Sequence, residues 1–318
     1  MVAVAVAMAL LVAACGDDDD SSSTTTAAGS GSTETSEAAA QATFEFVPLD
    51  AGGPNTKSAL TKGDIDIAVL FSSDGAIAKN DWVALEDDKD LQPVDNFIPA
   101  VRTDAVTDEV TQVLNAVSES LTVEAMQGLV ASVSLDGENP EDVAGEFLAD
   151  VDVPDVTVDG DLVVGSANFA ESEITAELYA QALEAAGAKV TKKLQFGARE
   201  TYIPALEAGE LDIVPEFVGT LSFFFDGNAE VTSDLDASLV VARELAEAKG
   251  ITLLEPAPAD SVNTFVVTQD TADEYGLAKV SDLAKVSDPL VLGGPPECPE
   301  RRPCLQGLID VYGLKFDV

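Results

Sequence analysis

Hydrophobic and polar positions follow two different periods along this chain. Short apolar runs bounded by turn residues predict strands, and apolar residues three and four apart predict helices. Asp64 to Phe71 (Asp-Ile-Asp-Ile-Ala-Val-Leu-Phe) predicts a buried strand. Further strands are predicted over Leu162 to Gly165, Val190 to Phe196, Leu211 to Val214, Thr264 to Thr268 and Leu290 to Leu292. Helical spacing covers Thr107 to Leu121, Thr122 to Leu135, Glu171 to Ala186, Tyr202 to Ala208 and Asp236 to Lys249. Gly187 and Gly250 stop two of these helices. Alternating strands and helices predict an α/β protein with mostly parallel sheets.

One stretch is written twice. Ala-Leu-Thr-Lys-Gly-Asp-Ile-Asp-Ile over residues 59–67 parallels Ala-Leu-Glu-Ala-Gly-Glu-Leu-Asp-Ile over residues 205–213. Each is a helix end, a glycine stop and a strand that opens on Asp-Ile. Two lobes built on one unit are expected. Ligands of open α/β sheets bind beyond the C-terminal strand ends. Those ends are Phe71-Ser72-Ser73-Asp74 and Pro215-Glu216-Phe217-Val218-Gly219-Thr220.

The N-terminus has a different pattern. Val2 to Ala14 is almost wholly apolar and ends at Val12-Ala13-Ala14-Cys15-Gly16. The run is too short to span a bilayer. Small residues before a cysteine predict a lipoprotein signal over residues 1–14 and a lipid on Cys15. No Lys or Arg precedes the run, so the start codon is expected upstream. Residues 15–43 are rich in Asp, Ser, Thr, Gly and Ala and predict a flexible tether. An anchor and a leash together place the protein outside the cytoplasm, on the outer face of the cell membrane.

Composition narrows the chemistry. The 318 residues suggest about two domains. With 58 Asp plus Glu against 16 Lys plus Arg, the formal charge is −42. Such a surface repels phosphate backbones, so no nucleic-acid partner is expected. The histidine count is zero. That excludes Ser-His-Asp and Cys-His catalysis and His-ligated zinc. No metal, cofactor or catalytic residue is predicted. Cys298 and Cys304 lie close together in a Pro-rich, charged stretch. Outside the cytoplasm this pair predicts a disulfide.

The motifs point further. Gly165-Ser166-Ala167-Asn168-Phe169-Ala170-Glu171, Ala205 to Gly209 and Pro215 to Thr220 resemble the substrate-binding proteins of ABC importers for quaternary ammonium compounds. Glycine betaine, choline and carnitine binders belong to that family. Phe71 to Asp74, Asn263-Thr264-Phe265 and the stretch from Gly293 to Leu308 with Tyr312-Gly313-Leu314 resemble it too. The resemblance implies a two-lobe periplasmic-binding-protein-like fold of type II, with no enzymatic activity.

The order of segments differs from the family's. Its last third, here Phe46 to Phe147, precedes the segments like Leu162 to Phe225 and Asn263 to Phe316. The chain therefore reads as a circular permutant, with residues 149–161 as an exposed linker and Phe316 running directly into Phe46. A tandem gene cut or misassembled at the wrong point would give the same order. On this reading lobe A is residues 75–262, and lobe B is residues 44–74 plus 263–318. The hinge is expected near Asp74 and Val262.

A trimethylammonium head donates no hydrogen bonds and is held by aromatic faces, about 0.5–2 kcal/mol per ring. The resemblance places Phe71, Phe217 and Phe265 at cage positions. It adds Ser72, Asp74, Asn168, Thr220, Asn263, Glu297 and Arg301 as ligand-binding candidates. A family lysine is Ala167 here, and a cage tyrosine is Asp95. Losing a cation and gaining an anion shifts preference toward a choline-like cation. Phe223 to Phe225 are expected on a lobe surface or in a core. The implied function is an osmoprotectant-binding lipoprotein, a monomer that delivers its ligand to an ABC permease. The alternatives are an extracytoplasmic sensor, or a carboxylate-based enzyme on the same fold.

Overall fold

The computed structural model describes residues 42–50 and 52–317. The expected signal, Cys15 and the tether up to residue 41 lie outside the described residues. The tether's expected end at residue 43 is too late. Ala42 is buried and Thr43 opens the first strand.

Eleven strands are described: β1 Thr43–Pro48, β2 Ile67–Phe71, β3 Val83–Ala84, β4 Phe97–Arg102, β5 Asp161–Ala167, β6 Lys189–Gly197, β7 Ile213–Phe217, β8 Ile251–Leu253, β9 Asn263–Val267, β10 Val291–Gly294 and β11 Lys315–Asp317. They form two sheets. The first runs in the order β11-β1-β10-β2-β9-β3, and the second in the order β6-β5-β7-β4-β8. In each sheet one strand opposes its neighbours: β9 is antiparallel to β2, and β4 is antiparallel to β7.

The repeated stretch does the same work in both lobes. Gly63 (φ 73°) and Gly209 (φ 77°) take the left-handed conformation that ends a helix without a Cβ clash. Asp66 then accepts a hydrogen bond from Val291 N at 2.8 Å, and Asp212 accepts one from Val163 N at 2.9 Å. Each carboxylate ties the start of its strand to the parallel neighbour.

The second lobe packs around the helix Ala170–Ala185, whose Ile174, Leu178, Tyr179 and Leu183 are fully buried. Its partners include the helix Asp108–Ser120, started by Thr107 accepting from Val110 N. The Tyr179 and Ser118 hydroxyls share a hydrogen bond of 3.0 Å, which satisfies both in the core. In the first lobe Phe44, Ile67, Val69, Phe265 and Leu292 form the centre of a separate core.

Three boundaries differ from expectation. The chain does not leave the first lobe at Asp74. Strand β3 pairs with β9, Val83 opposite Val267, and Leu85 and Leu91 join the first core. A two-residue strand is too short to show a period in sequence. Residues 149–161 are not a plain exposed linker. Val158 is buried and its N–H donates to Ala186 O at 2.8 Å, and Asp161 already belongs to β5. Phe316 does not run in line into Phe46. Strand β11 lies beside β1, parallel, with Phe44 opposite Phe316. Parallel neighbours need a crossover between them, so their ends cannot be joined directly.

Candidate functional site in the cleft between the sheets

The C-terminal ends of β2, β7 and β10 and the starts of β4 and β9 come together between the lobes. A cavity of about 240 Å³ opens there. The first lobe supplies Phe71, Asn263, Pro295, Arg301 and Cys304 to its wall. The second supplies Asp95, Gly219, Thr220 and Phe223. Crossing segments close it with Gln92 to Val94 and with Ser261 and Val262.

Phe71 is the last residue of β2, opposite Asn263 in the ladder. It is 41% exposed and presents its ring to the cleft. Phe265 is two residues deeper in β9, opposite Val69, and is only 2% exposed. Depth along the strand therefore separates a cleft residue from a core residue of the same type. Phe217 is likewise in the core. It pairs with Phe97 across β7 and β4, with ring centroids 4.6 Å apart. Phe223, on the helix Val218–Phe225, lines the cavity and is 43% exposed. Sequence reasoning assigned Phe223 to a lobe surface or core. Its place on the first two turns of a helix that starts at a strand end is the signal that could have found it.

Asp95 caps that helix from another part of the chain. Its Oδ1 accepts from Gly219 N at 2.9 Å and Thr220 N at 2.8 Å, and its Oδ2 accepts from the Thr220 hydroxyl. Burial pushes its pKa up to about 6, against the lowering effect of these donors. Asn263 donates to Pro303 O at 3.4 Å. Arg301 pairs with Glu297 at 3.1 Å. Glu297 itself is not a lining residue. Cys298 and Cys304 form a disulfide with Cα atoms 5.3 Å apart. It pins the loop that carries Arg301.

The other candidates do structural work or sit apart. Ser72 fastens the two crossing segments: its hydroxyl donates to Asp260 Oδ1 at 2.6 Å and accepts from Val262 N at 3.0 Å. Asp74 caps the helix Gly75–Lys79 through Ala76 N and pairs with Lys57 at 2.7 Å. It borders a second cavity of about 140 Å³, shared with Phe71 and Glu171. Burial raises the Glu171 pKa, and the Ser73 hydroxyl donates to this carboxylate at 3.2 Å. Asn168 is exposed in the turn after β5 and lies outside the first cavity's lining.

Residues 14–150 and 160–318 match the family profile OpuAC, the substrate binding domain of ABC-type glycine betaine transport system. The chain belongs to this family. Its relatives include the glycine betaine-binding protein YehZ of Escherichia coli (strain K12), 30% identical over 158 residues, which are 48% of this chain and 52% of that protein. A glycine-betaine-binding protein of Pseudomonas aeruginosa PAO1 is 29% identical over 164 residues, 49% of this chain and 52% of that protein. The chain spans about half the length of these curated relatives. Among solved structures, NikA from Brucella suis in complex with Fe(III)-EDTA aligns with a TM-score of 0.35 and 12% identity, over 67% of this chain and 55% of that one. The chain is a two-lobe, mixed α/β binding-protein fold.

Proposed function

We propose that this protein is the solute-binding component of an ABC importer. It captures a quaternary ammonium compound of choline or glycine betaine type and hands it to a membrane permease. One observation carries the reading. The cavity between the lobes combines exposed phenylalanine rings, Phe71 and Phe223, with the carboxylate of Asp95. Ring faces and an anion suit a cation that cannot donate hydrogen bonds. The two lobes close over the ligand about the crossing segments, and ligand stabilises the closed state. Of the sequence candidates, Phe71, Asp95, Thr220, Asn263 and Arg301 line the cavity, and on this reading Phe71 and Asp95 face the ligand's cation.

A thermal-shift screen with choline, glycine betaine, carnitine, ectoine and proline tests it. A quaternary amine raises the melting temperature in a concentration-dependent way, and proline does not. A response to none of the quaternary amines overturns the proposal.

The same reading extends to the cell. Cys15 carries lipid and holds the protein at the outer face of the membrane. Support comes from the Val12-Ala13-Ala14-Cys15 junction and the polar stretch after it. Cys15→Ser moves the protein to the soluble fraction; unchanged membrane association rejects the anchor. We also propose the permuted segment order. The family match in two blocks, and relatives aligned over about half their length, support it. A gene reordered to begin at Leu162 and end at Phe147, with a flexible linker long enough for the crossover between β11 and β1, should yield protein with the same ligand response. Loss of folding in that product counts against the permutation.

A further inference from the structure

We infer that Asp95 is a built-in carboxylate that occupies the place of a ligand carboxylate, and so sets the cavity to take quaternary amines that lack one. The inference rests on the reading of the cavity as a quaternary-amine site.

The helix Val218–Phe225 opens at the cavity wall. Its first backbone N–H groups have no partner within the helix, and its dipole is positive at that end. Gly219 N, Thr220 N and the Thr220 hydroxyl converge on one point. Three such donors form a cradle for a carboxylate. In this protein the carboxylate comes from the chain itself, from a segment about 124 positions earlier, and takes all three donors.

The seat is tight. A Cβ on Gly219 would stand 2.4 Å from Val94 O and 3.2 Å from Asp95 Oδ1. The segment carrying Asp95 therefore lies directly on the first turn of the helix, and glycine is what lets it approach. A second carboxylate brought to this wall finds the donors used and meets a like charge.

The neighbouring cations are engaged elsewhere. Arg199 grips Glu216 with two bonds of 2.9 Å, on the protein side of the wall. Arg301 lines the cavity and is paired with Glu297. The anion that faces the cavity from the second lobe is Asp95, with the rings of Phe71 and Phe223 beside the same space. That set attracts a cation and disfavours a zwitterion.

Titration calorimetry with choline and glycine betaine decides the matter, on wild type, Asp95→Ala and Asp95→Asn. Wild type binds choline more tightly. Asp95→Ala frees the cradle: choline weakens at least about tenfold and glycine betaine tightens at least about tenfold, a reversal of order 1.4 kcal/mol in each. Asp95→Asn keeps the cap and loses the charge, so choline weakens and glycine betaine does not gain. Acetate provides a second readout by NMR. It shifts the Gly219 and Thr220 amide signals in Asp95→Ala and leaves them in place in wild type. If wild type binds neither amine, the functional reading fails, and this inference with it. If wild type binds one and Asp95→Ala leaves the preference unchanged, or acetate does not move those amides, the inference alone fails. Should Asp95→Ala not fold, unchanged choline affinity in Asp95→Asn overturns it.

Discussion

Arg199 and Glu216 form a two-pronged ion pair beneath the cavity wall, Nε to Oε1 and Nη2 to Oε2 both at 2.9 Å. Glu216 is fully buried at the end of β7. The Tyr202 hydroxyl donates to it at 2.7 Å, and Phe217 N at 3.0 Å. This carboxylate ties the helix Arg199–Glu207 to the point where β7 turns into the helix that carries Thr220. Replacing Arg199 with Ala leaves a buried charge with its main partner gone. A loss of about 3–5 kcal/mol is expected in urea denaturation. Arg199→Leu combined with Glu216→Leu should cost clearly less, because no charge remains buried.

The phenylalanines divide by depth, and mutation should separate them. Phe217→Ala empties a core position against Phe97 and is expected to cost about 3–5 kcal/mol. Phe71→Ala removes an exposed ring and should change stability by less than about 1 kcal/mol. Its effect belongs in ligand affinity. Paired denaturation and calorimetry on the two variants check this, and equal destabilisation would refute the division.

Cys298 and Cys304 close a short loop, with a sequence separation of 6. Loop-closure entropy of this size is worth about 2 kcal/mol. The double Cys→Ser variant should lose about that much. Thiol labelling of unfolded, unreduced protein should find neither Cys298 nor Cys304 reactive.

Asp95 makes stability depend on pH in a defined direction. Its folded-state pKa of about 6 lies above the ordinary 3.8, so the folded protein holds this proton more tightly than the unfolded chain. The contribution is neutral below about pH 4, grows unfavourable as pH rises to about 6, and is fully unfavourable above that. Asp95→Asn removes it. The difference in unfolding free energy between wild type and variant should then change by up to about 2–3 kcal/mol between pH 4 and pH 7. Glu171 and Asp260, also raised by burial, are common to both proteins and cancel in that difference. A difference that stays flat with pH would show that Asp95 titrates normally.

Much of the fold was legible because it is local. Helix and strand periods, the glycine stops at Gly63 and Gly209 and the duplicated Asp-Ile openings are written in consecutive residues. The match of motifs carried the family. The short strands β3 and β8 were not legible, because two or three residues cannot display a period. The stretch 149–161 reads as a linker because its valines alternate with Asp and Pro in no long run, and only the neighbours of Val158 across the fold show that it is buried.

By itself, the sequence determined the alternation of strand and helix, the two-fold repeat of the lobe unit, the acidity of the surface and the absence of histidine chemistry. Tertiary structure decided which side chains reach the cleft. Phe71 and Phe265 are the same residue on paired strands, yet two residues of depth place one at the strand end and the other in the core. It also decided what Asp95 does. The donors it satisfies lie about 124 positions away and meet it only because β4 pairs with β7, Phe97 opposite Phe217. Long-range strand pairing sets those neighbours, and no local pattern encodes them.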